Sequence, residues 1–162
     1  PFIVRWPGKV RPGTTSDQLV WLVDLMATCA DILKLQLPDD AAEDSVSLLP
    51  VLLGKADGPV REALVHHSIS GKFSIRQGPW KLELCPGSGG WSSPRDPQAA
   101  KQGLPPIQLY DMTADPGEQR NVQAEHLKVV KDLTAILDRY VTEGRSTLGA
   151  PQKNAVPVGI RK

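Results

Sequence analysis

The sequence contains few of the residues that cross-link, chelate or anchor a chain. Its 162 residues include two cysteines, Cys29 and Cys85, and three histidines. Two cysteines exclude a disulfide-rich scaffold, and the histidines lack the paired spacing of a four-ligand zinc site. No apolar run approaches the about 20 residues that a membrane-spanning helix needs. The 19 basic and 18 acidic residues nearly cancel, which argues against a nucleic-acid-binding protein with a broad basic face.

What the sequence does contain is a globular core interrupted by many turns. Hydrophobic residues make up 40% of the chain and charged residues 23%, a balance too apolar for an intrinsically disordered protein. Glycine (14 residues) and proline (15 residues) are abundant, so long loops are expected. The chain starts with Pro1 rather than Met. We therefore expect it to be part of a longer protein, and the lack of a signal peptide says nothing about where that protein resides.

Residues 1–54 are predicted to form a strand, a helix and a loop. The apolar residues at 2–6 favour a strand. Asp24 is predicted to cap a helix over 25–35, and residues 48–53 are predicted to form a helical turn. The acidic residues between them could hold a hard cation, but they lack the spacing of a calcium loop, so a solvated loop is favoured. They are Asp39, Asp40, Glu43 and Asp44.

Residues 55–143 predict an antiparallel sheet with one helix. Alternating apolar residues indicate four strands, and the two residues Gly78 and Pro79 predict a hairpin between the second and the third. Residues 86–106 hold nine Gly or Pro residues and are predicted to be a mobile loop. An amphipathic helix is expected over 125–141, and residues 144–162 are expected to form a basic, proline-containing tail with little structure. The predicted strands span 63–68, 73–77, 80–84 and 107–110.

Three residues are candidates for ligand contact. His66 and His67 are neighbours in a predicted strand, so their side chains face opposite ways and cannot easily share a metal ion. One packed and one exposed histidine is the simplest interpretation, and the alternative is an imidazole that faces a ligand cleft. Trp91, in the long loop, could touch a sugar or pack on the surface. Cys85 is interpreted as an ordinary thiol, and the glycines after it lack the Lys-Ser/Thr and the helix of a phosphate-binding P-loop.

The segment LYDMTADPGEQRNV at 109–122 is the most distinctive motif of the chain. It resembles the pattern ELYDLxxDPxExxNL of type I sulfatases, the arylsulfatase A-like enzymes of the alkaline phosphatase superfamily. Residues 74–82 resemble the xxRxGxWKL hairpin of the family. Residues 1–8, 24–35 and 43–53 resemble three further segments, and all of them follow the family order. By this resemblance the chain is identified as a C-terminal portion of such an enzyme.

The resemblance implies an α+β fold with a four-stranded antiparallel sheet and a C-terminal helix packed across it. An N-terminal strand–helix segment would be detached from the α/β sheet of the parent, the longer protein of which this chain is expected to be a part. Residues 1–54 would be a remnant of the catalytic domain, residues 55–143 the C-terminal subdomain, and residues 144–162 a tail. The subdomain would form one wall of the substrate cleft, with His66, His67 and Trp91 as substrate-binding candidates.

The resemblance also implies chemistry whose residues this chain does not carry. Sulfatases of this type hydrolyse sulfate esters with a formylglycine, made from the Cys of a C-x-P-S-R motif, beside a bound calcium ion. Neither Cys29 nor Cys85 lies in such a motif. No catalytic residue and no metal ligand is therefore assigned, and the chain alone is predicted to be inactive.

The partners implied by the resemblance are the N-terminal catalytic domain of the parent and a sulfated small molecule or glycan. No nucleic acid and no membrane is expected as a partner. A homodimer through residues 1–35 is a further hypothesis, because an apolar strand without sheet neighbours tends to pair with another chain. The family suggests that the parent is periplasmic or secreted.

Two other functions stay open from the sequence. A related hydrolase of phosphate or phosphonate esters could share the C-terminal pattern, because the residues that decide between the two lie outside this chain. A non-catalytic carbohydrate-interaction module could use tryptophans as stacking faces, although Trp6, Trp21 and Trp80 are more simply interpreted as core or hairpin residues.

Overall fold

The computed structural model of the protein describes residues 2–160. They form two compact units, one of residues 2–62 with 145–152 and one of residues 63–144 with 153–160. The helices of these described residues include none long and apolar enough to cross a membrane.

The second unit contains a four-stranded antiparallel sheet in the order β1-β2-β3-β4. Its strands are β1 (Leu64–His67), β2 (Phe73–Gln77), β3 (Trp80–Glu83) and β4 (Gln108–Asp111). Gln77 pairs with Trp80, so the predicted two-residue hairpin is confirmed. Gly78 opens that turn at φ 54°, a left-handed conformation that side chains with a Cβ disfavour.

One face of this sheet is the hydrophobic core of the unit. Helix α4 (Leu127–Glu143) lies across it and buries Leu133, Leu137 and Tyr140 against Ile75 and the other core residues. The helix ends at Gly144, whose φ of 64° matches the left-handed C-terminal position that glycine occupies in many helices. The predicted α+β fold, with four strands and a C-terminal helix, is confirmed.

The first unit is built on helix α1 (Asp24–Leu33) and the short helix α2 (Leu49–Leu52). Asp24 does not cap α1 as predicted but is its first residue, and its side chain is fully buried. The carboxylate accepts hydrogen bonds from Trp21 N at 2.7 Å and Val46 N at 3.0 Å, and it pairs with Arg61. The prediction missed this role because Arg61 lies 37 residues further along the chain.

Residues 2–6 form no strand, contrary to the prediction. A strand exists only where a neighbour completes its hydrogen-bond ladder, and the part of the chain that the structure describes provides none for this segment. The segment instead lies beside α1. Phe2 and Trp6 line an open, mostly apolar pocket of about 290 Å³ together with Cys29 and Ile32.

Two predicted loops have more structure than expected. The segment 86–106 contains a six-residue helix, α3 (Asp96–Lys101), whose Ala99 is completely buried. The predicted tail, residues 144–162, includes Arg145, which is 6% exposed and donates hydrogen bonds to Thr147, Leu148, Ala150 and Asp39. A side chain that can donate several hydrogen bonds gives a short segment without helix or strand a defined conformation.

Candidate functional site

The face of the sheet opposite α4 is polar rather than apolar. The strand register places His66, Ser74, Glu83 and Gln108 in one row across it. We call this the polar face, and the neighbouring row adds four further residues to it. They are Leu64, Arg76, Lys81 and Tyr110.

Lys81, on the polar face, is paired with two carboxylates. Lys81 Nζ lies 2.8 Å from Glu83 Oε1 and 2.7 Å from Glu118 Oε1. Burial acts to lower the pKa of Lys81, but the hydrogen bonds with Glu118 and Glu83 outweigh it and raise that pKa above its usual value. Lys81 is therefore protonated, and its charge is balanced by the two glutamates. It is not available to bind an anionic ligand.

The structure separates the two candidate histidines. His66 is half-buried on the polar face, and burial, assisted by the charge of Lys81, lowers its pKa below 6.5. The imidazole of His66 is thus neutral at pH 7 and can exchange hydrogen bonds without carrying charge. His67 is exposed, and its ring meets the edge of the Phe73 ring at 6.1 Å between centroids.

Trp91 lies on a loop that we define as residues 85–95, the Trp91 loop. The indole is 78% exposed, although the loop beneath it is compact. Ser88 N donates to Pro94 O at 2.9 Å, and Ser88 Oγ donates to Ser92 O at 2.7 Å. Gly87 is required where the two arms of the loop meet, because a Cβ there would stand 2.6 Å from Pro94 O. The result is an apolar ring presented to solvent from a closed loop.

The Trp91 loop packs on the turn that follows the two histidines. A Cβ at Gly89 would lie 3.0 Å from Ser68 Oγ, and a Cβ at Gly90 would lie 3.5 Å from Ile69 Cγ2. Ser68 directly follows His67 in the chain. The fold therefore brings the loop of Trp91 to the end of the strand that carries His66 and His67, although 24 residues separate Trp91 from His67 in the sequence.

The base of the Trp91 loop is joined to the polar face by two residues that the sequence analysis missed. Gln108 Nε2 donates to Cys85 O at 2.9 Å and to Gly87 O at 2.8 Å. Tyr110 OH donates to Gln108 Oε1 at 2.6 Å. The polar residues at alternate positions of β4, beside a buried Leu109, were the available signal.

The buried cysteine of the second unit is not an activated thiol. Cys85 is buried, and burial, together with the carboxylates of Asp96 and Glu83, raises its pKa to about 11. Such a thiol is protonated at neutral pH and is not an activated nucleophile. Cys29 is exposed on α1, in the other unit. Within residues 2–160, no three His, Cys, Asp or Glu side chains are grouped so that they could hold a metal ion.

The acidic segment at 39–44 binds a protein cation and backbone amides. Asp39 Oδ1 lies 3.0 Å from Arg145 Nη1, and Asp39 Oδ2 accepts a hydrogen bond from Ala150 N at 2.9 Å. Asp44 Oδ1 accepts a hydrogen bond from Ser146 N, also at 2.9 Å. The prediction of a solvated loop was therefore incomplete, because the partners come from more than 100 residues away.

Known proteins similar to this chain are sulfatases. An N-acetylgalactosamine-6-O-sulfatase of Bacteroides thetaiotaomicron is 37% identical over an alignment 150 positions long, which covers 88% of this chain and 27% of that protein. Human arylsulfatase A is 30% identical over an alignment 178 positions long, gaps included, which covers 98% of this chain and 34% of that protein. The chain thus spans about a quarter to a third of these relatives. No protein-family model matches it.

Solved structures agree with these relatives. One from work on the metabolism of glycosaminoglycans by Bacteroides thetaiotaomicron superposes with a TM-score of 0.68 at 38% identity, over 86% of this chain and 28% of that one. Another, in complex with its substrate D-glucosamine-2-N,6-O-disulfate, has a TM-score of 0.58 at 26% identity, over 85% of this chain and 27% of that one.

Proposed function

The chain belongs to the sulfatase family and matches its C-terminal portion, and on this premise we propose that it forms one wall of the substrate cleft of a sulfuric ester hydrolase. The observation that carries the proposal is the 37% identity to an N-acetylgalactosamine-6-O-sulfatase over 88% of the chain. The substrate class that this relative suggests is a sulfated amino sugar.

The candidate site supports recognition of a sugar ring and its hydroxyl groups. An exposed indole such as that of Trp91 offers an apolar face to a sugar ring, and the neutral imidazole of His66 can hydrogen-bond a hydroxyl group. Lys81 is engaged with two carboxylates. His67 faces the other side of β1, beside Phe73, and is therefore left out of the proposed contact surface.

The bond-breaking chemistry is proposed to belong to the rest of the parent protein. Sulfate-ester cleavage needs an activated nucleophile and a cation on the sulfate oxygens, which sulfatases supply as formylglycine and calcium. Neither Cys29 nor Cys85 lies in the C-x-P-S-R motif from which the family makes that nucleophile. The parent is proposed to act in the periplasm or outside the cell, as the family resemblance suggests.

A titration of the chain with N-acetylgalactosamine 6-sulfate tests the sugar-binding wall. We expect weak binding that the Trp91→Ala substitution reduces by about fivefold or more, because it removes roughly 1 kcal/mol of apolar contact. The Leu148→Ala variant, which loses a side chain that is 98% exposed, is the matched control and should bind like the wild type. Equal affinity of the Trp91→Ala variant would exclude Trp91 from the wall.

The reaction class is tested on the parent protein and on the chain separately. A full-length parent should hydrolyse an aryl sulfate faster than an aryl phosphate, and the reverse would favour the phosphate or phosphonate ester hydrolase. We expect the 162-residue chain alone to hydrolyse neither. Sugar binding by a full-length parent without any hydrolysis would favour the non-catalytic carbohydrate-interaction module.

An apolar surface on the first unit is proposed to pack against the catalytic domain of the parent. Several large apolar side chains on and beside α1 are exposed, a pattern that marks an interaction surface. In the isolated chain the same surface is free to pair with a second copy. These side chains are Leu22, Leu25, Met26, Ile32, Leu33 and Leu35.

Light scattering at micromolar concentration measures that pairing. We expect the chain to form a dimer and the double variant Met26→Glu, Leu33→Glu to be monomeric, because charge at these exposed positions prevents apolar contact without entering the core. The double variant Lys128→Glu, Lys131→Glu changes exposed residues of α4 as a control and should remain dimeric. A monomeric wild-type chain would reject pairing through residues 1–35.

A further inference from the structure

Gln108 is placed so that each polar atom of its side chain amide has a partner. The Nε2 atom donates to Cys85 O and Gly87 O, while the Oε1 atom accepts from Tyr110 OH. The reversed amide would point an oxygen at two carbonyl oxygens, so these partners define a single orientation. Burial raises the pKa of Tyr110 to about 12, so its hydroxyl keeps its proton and remains a donor under working conditions.

We infer that Gln108 and Tyr110 are positioning residues that hold the Trp91 loop, and so the Trp91 ring, at a fixed place beside the strand of His66 and His67. The inference rests on the proposed function, in that the ring is assigned to the sugar-binding wall. It adds the residues that determine where the wall presents this ring.

The contact at Gly87 explains how two hydrogen bonds at the base can control the whole loop. Gly87 is the point at which the first arm of the loop touches the second, near Pro94 and Arg95. Gln108 holds the carbonyl group of this same residue. Gly89 N also donates to Asp96 Oδ1 at 3.0 Å. This hydrogen bond is a second link between the start and the end of the loop, so residues 88–93 are expected to move together. A shift of the Gly87 carbonyl therefore moves Trp91.

The hydrogen bonds of Tyr110 and Gln108 also link the Trp91 loop to the core of the second unit. Tyr110 is 6% exposed, and it alternates along β4 with Leu109, which is fully buried against the core. Strand β4 is paired with β3 along its length. The hydroxyl of Tyr110 is thus fixed by the sheet, and Gln108 transmits that position across the polar face to the loop.

The test compares Tyr110→Phe and Gln108→Glu in the full 162-residue chain with Thr134→Val as control. Thr134 is 8% exposed and donates to Val130 O at 2.7 Å, so its replacement removes one hydrogen bond of the same unit, on α4. The readouts are amide hydrogen exchange at residues 87–92 and the ¹H–¹⁵N nuclear Overhauser effect of the Trp91 indole. Titration with N-acetylgalactosamine 6-sulfate follows.

We expect Tyr110→Phe to speed exchange of the loop amides about tenfold, as for the loss of one buried hydrogen bond, and Gln108→Glu to speed it more. Both should lower the indole nuclear Overhauser effect, whereas Thr134→Val should change neither. In Gln108→Glu the order of the loop should return as the pH falls, because a protonated carboxyl group can donate to a carbonyl oxygen again. A purely structural loss of stability would show no such recovery.

The outcomes separate this inference from the proposed function. Unchanged loop exchange and an unchanged indole signal in both variants would overturn the inference, whatever the sugar does. A response of the loop in a chain that does not bind the sulfated sugar would support the positioning role and contradict the sugar-binding wall. A response of the loop accompanied by weaker sugar binding supports both.

Discussion

Replacement of Asp24 by Ala is expected to lower the free energy of unfolding by about 3–5 kcal/mol, since it leaves a buried guanidinium without its counter-ion. The side chains of Asp24 and Arg61 are 0% and 4% exposed, so water cannot replace the lost partner. The substitution also removes the acceptor of Trp21 N and Val46 N, which fixes the entry into α1 and the approach of the segment before α2.

Chemical denaturation followed by circular dichroism measures this effect. The control is Asp57→Ala in the same unit, an exposed carboxylate whose loss should change stability by less than about 0.5 kcal/mol. Asp24→Asn separates charge from hydrogen bonding, because the amide keeps an acceptor but cannot neutralise Arg61. A loss below about 1 kcal/mol in Asp24→Ala would show that Arg61 finds other compensation in the folded chain.

Local sequence patterns were sufficient for most of the second unit. Strand β2 was predicted with its observed limits, and the two-residue turn at Gly78 fixed its register with β3. The apolar stripe of α4 predicted which of its faces is buried, as Leu133 and Leu137 show. These features depend on neighbours a few residues apart, which is the range in which periodicity and turn chemistry carry information.

Features that depend on distant partners were not predictable in the same way. The apolar residues 2–6 have the composition of a strand, but a ladder requires a second segment, and composition does not say whether one is present. The high content of Gly and Pro in residues 86–106 predicted a loop and concealed α3 within it. The glycines of this segment also have a packing role, because Gly87 allows the start of the Trp91 loop to approach Pro94 and Arg95 closely.

In the candidate site, too, the local features were predictable and the contacts between distant residues were not. Type and spacing of residues selected His66, His67 and Trp91, while the polar partners that position the loop escaped notice. Gln108 follows Cys85 by 23 residues and Gly87 by 21. Only the pairing of β3 with β4 brings Gln108 to the start of the loop.

Arg145→Ala is expected to detach residues 145–152 from the acidic segment 39–44 and to cost about 3 kcal/mol of stability, because hydrogen bonds to charged groups contribute roughly 1.5–3 kcal/mol each. The guanidinium reaches Leu148 O at 2.8 Å, Ala150 O at 2.9 Å and Asp39 Oδ1 at 3.0 Å. Arg145→Lys should restore little of this, since one ammonium group cannot reach acceptors spread around a planar fork.

Limited proteolysis and hydrogen exchange of residues 145–152 measure the detachment, and Arg11→Ala, which removes an exposed arginine of the same unit, should leave both unchanged.

Acid should have a related effect. The amide of Ala150, with help from Arg145 and against partial desolvation, lowers the pKa of Asp39 below 3.8. A carboxyl group whose pKa is lower in the folded chain than in the unfolded chain stabilises the fold at pH values above the unfolded-state pKa. This contribution is lost as the pH falls through the folded-state pKa. Protection of residues 145–152 from hydrogen exchange should therefore decline below about pH 4 in the wild type. If protection instead persists in Arg145→Ala at pH 7, Asp44 and the backbone hold the segment without the guanidinium.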